Sequence, residues 1–124
     1  MLPYLAVGIG GAAGSCLRYA ITMRFSLSSF PYGTLFSNMI AGLLIGLIFG
    51  IERYCSFFSP NTRLLLTTGV MGGLSTFSTF SVETLAFFHS GKTMLGLWNI
   101  LLNLALSFGG VILGGMLPRL LFGR

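Results

Sequence analysis

Between Gly69 and Phe80 the chain reads GVMGGLSTFSTF, which sets the hydroxyls of Ser75, Thr76, Ser78 and Thr79 around two phenylalanines, Phe77 and Phe80. Hydroxyl groups, amide hydrogens and the electropositive rims of aromatic rings are neutral donors suited to an anion. Several weak donors replace part of an anion's hydration and still release it, whereas a full cationic ligand binds and holds it; conduction needs the first behaviour. Asn38 adds a side-chain amide, and Asn99, Asn103 and Ser107 form a further polar row at i, i+4 spacing. On chemistry alone these groups suit a small anion or another small polar solute. Each also has a plainer reading: phenylalanines three apart pack apolar space, and amides tie helices together.

Catalysis lacks parts. The chain has no Asp, and its acidic residues are Glu52 and Glu83, each near the end of an apolar run. With His89 as the single histidine, acid–base pairs, nucleophilic triads and metal–water chemistry are all incomplete. No phosphate-binding glycine loop or dinucleotide fingerprint is present; the glycines lie inside apolar stretches. Cys16 and Cys55 stand far apart and read as two unpaired small residues. The net charge of +5 comes from seven basic residues scattered singly, which does not form a nucleic-acid surface and reads instead as charges flanking membrane spans.

The elements that position these groups follow from composition. Of 124 residues, 54% are hydrophobic and 7% charged, far from the quarter or so that a soluble domain carries. Mean hydropathy is +0.90, and the chain reads as an integral membrane protein. A span needs about 20 apolar residues, and four runs supply them, at about 2–24, 32–51, 61–88 and 94–118, joined by short polar turns. This predicts one four-helix transmembrane domain with no repeat and no second domain. No basic residue precedes the first apolar run, so the N-terminus reads as a retained span and not a cleaved leader.

Within that bundle, Gly10, Gly14 and Arg18 share one side of the first helix, the glycines permitting close approach. Arg18 either anchors at the interface or turns into the protein. Positions 34, 38, 42, 46 and 50 of the second run are Thr, Asn, Gly, Gly and Gly, a row that hydrogen-bonds at one end and packs tightly at the other. An unpartnered amide in hydrocarbon costs on the order of several kcal/mol, so Asn38 faces protein, water or an ion, as interhelical glue or as the lining of a path. Ser59-Pro60 marks the start of the third helix as a cap followed by proline. Gly69, Gly72 and Gly73 and the hydroxyls after them weaken that helix at mid-membrane. A break there is predicted, and in lipid a break is tolerated where it lines a site.

Three stretches carry a family resemblance. GVMGGLSTFSTF resembles the broken third helix of the Fluc/CrcB family of fluoride channels, whose pattern is Gly-x-x-Gly-Gly-x-Thr-Thr-Phe-Ser-Thr-Phe, with Ser75 standing where the first Thr is usual. Gly33-Thr34-Leu35 with Asn38, Gly42 and Gly46 resembles the family's second helix, and Gly11, Gly14, Arg18 and Tyr19 its first, with Ser15 in place of the usual Ala. The resemblance implies that Phe77 and Phe80 meet fluoride through their ring edges, that Asn38 and Ser78 line the path, and that Thr34 and Thr79 support a polar track. It implies that the carbonyls of Gly72 and Ser75 hold a structural sodium ion between subunits, and gives Arg18 a structural place. It further implies an antiparallel homodimer in the bacterial inner membrane, surrounded by lipid, that passes fluoride out of the cell without an energy source and relieves its toxicity. The fourth helix does not align residue by residue, so Asn99, Asn103 and Ser107 stay candidates, and the roles of Glu83 and His89 stay open.

The flanking charges agree with insertion in both orientations. With four spans, Arg53, Arg63, Arg119 and Arg124 fall on one side, and Arg18, Arg24 and Lys92 on the other. A different class, the small proton-coupled multidrug exporter, requires a carboxylate embedded in the first helix, which this chain lacks. A passive accessory subunit would account for the size, but not for three polar rows and a helix break.

Overall fold

Pro3 sits in the first turn of α1, Leu2–Arg24, where a missing N–H costs no intrahelical bond. After a turn through Pro31, α2 spans Tyr32–Glu52. The Ser59 hydroxyl caps α3, Pro60–Leu64, by accepting the Thr62 N–H at 3.2 Å. The third hydrophobic stretch then changes pitch: Leu65–Met71 is π-helical, α4 covers Gly72–Leu74, and α5 runs Phe77–His89. Gly91, at φ +73°, takes the left-handed turn that leads into α6, Thr93–Phe122. These elements come from a computed structural model that describes residues 1–122 and is helical throughout its regular structure. Arg124, one of the flanking charges counted above, lies outside the described residues.

Helices α1, α2 and α6 are each long and apolar enough to cross a membrane. Sequence patterning places the end of the last run at Pro118, but α6 continues past it. A proline removes one backbone donor near the helix end, and its ring is accommodated because Gly50 opposite has no side chain; a Cβ there would lie 3.0 Å from the Pro118 ring.

Packing follows the small-residue rows. α2 lies along α6, and α1 lies against the π-helical stretch. A methyl on Gly42 would stand 2.6 Å from the Ser107 carbonyl, and one on Gly14 would run into the carbonyl of Val70. Such contacts bring backbones close, which is how helices gain dispersion contact where lipid gives no hydrophobic drive. Leu74, Ala41 and Met71 form the small core behind this seam. Large apolar residues such as Ile9, Leu17, Leu101 and Leu113 face outward, as a lipid-facing surface requires.

Candidate functional site

The glycines and hydroxyls of GVMGGLSTFSTF end helical hydrogen bonding at two residues. Ser75 (φ −75°, ψ 153°) and Thr76 (φ −152°, ψ 117°) are extended and separate α4 from α5. The Thr76 N–H, turned away from the Gly72 carbonyl, donates to Asn38 Oδ1 at 2.7 Å. Asn38 Nδ2 returns a bond to the Thr76 carbonyl at 3.3 Å. The Thr76 hydroxyl caps α5, accepting the Thr79 N–H at 3.2 Å and donating to the Thr79 hydroxyl at 3.0 Å. Arg18 turns inward, its Nε donating to the Gly73 carbonyl at 3.0 Å and so pinning α1 to α4.

These substitutions leave two carbonyls over. The amides of Thr76 and Thr79, which a continuous helix would aim at Gly72 and Ser75, are taken by Asn38 and by the Thr76 hydroxyl. Neither carbonyl accepts any of the side-chain, turn or cap hydrogen bonds found among the described residues. They are hard neutral oxygens, the donor type that suits a small monovalent cation. No cluster of His, Cys, Asp or Glu that could hold a metal occurs among the described residues.

Beside the extended residues lies a groove of about 520 Å³. Asn38, Gly72, Ser75, Phe77, Phe80, Asn103 and Ser107 line it. The Phe77 and Phe80 rings lie 5.4 Å apart, tilted by 55°, and form part of one wall. Phe80 is 7% exposed and Phe77 76% exposed, so one ring is anchored and the other stands open.

The remaining sequence-identified residues sit elsewhere. Thr79 supports the groove from behind, through Thr76. Ser78 is exposed, its hydroxyl 3.4 Å from that of Thr76, and does not line the groove. Thr34 is buried and donates to Glu83 Oε1 at 2.7 Å, and the pair lines a second hollow of about 390 Å³ under the turn before α2. Glu83 lies mid-way along α5, so its place near the end of an uncharged run was a poor guide to its surroundings. His89 is the last residue of α5 and is exposed.

Sequence spacing placed Asn103 in a polar row but not in contact with Asn38, whose Nδ2 donates to Asn103 Oδ1 at 3.0 Å. Thr84 carried no sequence signal, since a threonine bonding the preceding turn is ordinary in an apolar helix.

Residues 5–115 match the family described as CrcB-like protein, Camphor Resistance (CrcB). The chain belongs to the CrcB family. Among CrcB relatives, the "Fluoride-specific ion channel FluC" of Clostridium perfringens is 46% identical over 125 aligned positions, covering 98% of each chain. The protein of the same name from Clostridium novyi is 45% identical over 121 positions, 95% of this chain and 94% of its own. That of Psychrobacter cryohalolentis is 47% identical over 116 positions, covering 91% and 94%. The groove, the extended pair and the small-residue seams of this CrcB chain all lie within the matched residues.

Proposed function

We propose that this CrcB chain is a fluoride-specific ion channel of the bacterial plasma membrane, letting fluoride leave the cytoplasm down its gradient and lowering its toxicity. The observation that carries the reading is the groove where the Asn38 amide meets the Phe77 and Phe80 rings beside the extended residues. It offers neutral donors and no full positive charge among its lining residues, the condition under which a hydrated anion is bound and released. The near full-length likeness to proteins named for fluoride supplies the ion.

In this reading the four hydrophobic stretches form a single transmembrane domain, and the third is a helix broken at mid-membrane. Ring edges of Phe77 and Phe80 contact fluoride, Asn38 donates to it, Ser78 lines the path outside the groove, and Thr34 and Thr79 support the polar track. The carbonyls of Gly72 and Ser75 hold a structural sodium ion, which contributes a fixed positive charge and stays in place. The unit is an antiparallel homodimer: Phe77 is exposed at the mouth of an open groove, and a second copy of the chain would close it. No reaction is catalysed and no energy source is used.

Liposomes loaded with fluoride and containing only the purified protein test the reading. Fluoride efflux well above that of empty liposomes, with chloride retained, is expected. No efflux from correctly assembled protein overturns it.

A further inference from the structure

One chain of hydrogen bonds runs through α2, α6 and α5 in a single direction. The Thr76 N–H donates to Asn38 Oδ1 at 2.7 Å, and Asn38 Nδ2 donates to Asn103 Oδ1 at 3.0 Å. Asn103 Nδ2 donates to Asn99 Oδ1 at 2.9 Å, and Asn99 Nδ2 to Thr84 Oγ1 at 2.9 Å. The Thr84 hydroxyl donates to the Phe80 carbonyl at 2.8 Å. Asn99 is 0% exposed, Asn103 4% and Thr84 6%, so water has little room to replace a lost partner.

The two ends fix the direction of every bond between them. A peptide N–H only donates and a carbonyl only accepts, while each asparagine has one donating and one accepting end. Reversing any amide in the chain sets donor against donor or acceptor against acceptor at its contacts, in a buried place where such errors are costly. The Asn38 nitrogen is thereby held toward α6. One of its N–H bonds is fixed on Asn103; the other has only the 3.3 Å contact with the Thr76 carbonyl, the longest in the set and the easiest for an incoming ligand to replace.

We infer that Thr84 and Asn99, neither of which lines the groove, are positioning residues for the anion: they hold Asn103, and through it keep Asn38 presenting an N–H and not its carbonyl oxygen. The inference rests on the reading that Asn38 meets fluoride. Without the Thr84 hydroxyl, the buried Asn99 amide loses its acceptor. The Asn99 side chain is then no longer held at both ends, and Asn103 Nδ2 keeps as its firm partner only the Asn99 backbone carbonyl at 3.0 Å, which loosens the support of Asn38.

Thr84→Val keeps the shape and removes the hydroxyl, and Thr84→Ser keeps the hydroxyl. Fluoride efflux from liposomes is expected to fall by roughly tenfold in Thr84→Val, the scale of one lost hydrogen bond, and to stay near wild type in Thr84→Ser. In ¹⁵N-labelled protein, the Asn38 side-chain amide signal, identified by its absence in Asn38→Ser, should move in Thr84→Val and return in Thr84→Ser. Wild-type efflux or an unmoved Asn38 signal in Thr84→Val overturns the inference. Thr84→Ala serves the same comparison if the valine variant does not assemble. Absence of fluoride efflux from the wild type would overturn the channel reading instead, while the amide signal still decides whether Thr84 positions Asn38.

Discussion

The Asn38 side chain and the Thr76 backbone bond each other twice, oxygen to N–H at 2.7 Å and nitrogen to carbonyl at 3.3 Å. A side-chain amide thus stands in for the peptide group that a continuous helix would have offered Thr76. Asn38→Ala orphans the Thr76 N–H, at a cost of about 1–3 kcal/mol. It should also lower fluoride efflux more than Asn103→Ala, which leaves the double bond to Thr76 intact. Melting temperature in detergent and efflux from liposomes measure the two effects; equal and mild losses would favour a purely structural role for both asparagines.

Phe77 and Phe80 should separate by stability but not by transport. Replacing either with Ile keeps an apolar side chain and removes the positive ring edge, so efflux should fall strongly in both. Phe80 is buried, and Phe80→Ile should cost about 1–2 kcal/mol through the altered fit. Phe77 is open in the single chain, and Phe77→Ile should change stability by no more than about 0.5 kcal/mol. Wild-type efflux in both variants would remove the rings from the pathway.

The spare carbonyls of Gly72 and Ser75 predict a dependence on sodium. Exchanging all sodium for a bulky organic cation during purification should lower efflux or dimer stability, and restoring sodium should recover it. Dimers that assemble and conduct unchanged without sodium would contradict the assignment.

Along the seam between α2 and α6, Gly46→Ala should be among the most damaging small changes. Its methyl would meet the Val111 carbonyl, and relief requires the helices to part, at a cost of about 1–3 kcal/mol. Gly8, on α1, has nothing within 4 Å of where its Cβ would stand. Gly8→Ala should be neutral or stabilising by up to about 1 kcal/mol, through helix propensity alone. Thermal unfolding of the two variants side by side checks both signs.

Orientation in the membrane offers a test independent of the groove. Basic residues flank the four stretches as four against three, or as four against two with Arg18 turned into the protein, which gives at most a weak preference for one topology. Appending three lysines after Arg124 should force one orientation and abolish efflux in cells, and coexpression with an oppositely biased variant should restore it. Full efflux from the biased chain alone would falsify the antiparallel pair.

The helical class and the close seams were legible because they depend on composition and i, i+4 spacing, which Gly14 and Gly42 display directly. The residues around Ser75 were legible because glycines and hydroxyls weaken a helix locally. Long-range partners were not. Nothing in the sequence says that Thr34 would meet Glu83, or that Asn38 would meet Asn103, because each pairing depends on how two helices rotate against each other. The last apolar run ends at Pro118 because Arg119 follows, whereas α6 runs on to Phe122, since a flanking charge does not stop a helix and the Pro118 ring is accommodated opposite Gly50.

The π-helical stretch from Leu65 to Met71 works as a phase adjuster. A turn of this kind carries a residue more than an α-turn, and each residue of an α-helix advances the chain by about 100°. Residues downstream are therefore rotated relative to where uninterrupted α-helix would have put them. Shortening the stretch by one residue would let it relax to α-helix, with no buried side chain touched by the deletion itself if it fell on an exposed position. Everything after it would then keep its angle, because the residue removed is the one the π-turn holds in excess. A deletion from the α-helical lead-in at Pro60–Leu64 would instead turn Thr76 by about 100°, out of the arc that Asn38 can reach. Length between Pro60 and Ser75 is, in that sense, an angular setting, and the π-helical stretch is the one place where a residue can be lost without changing it.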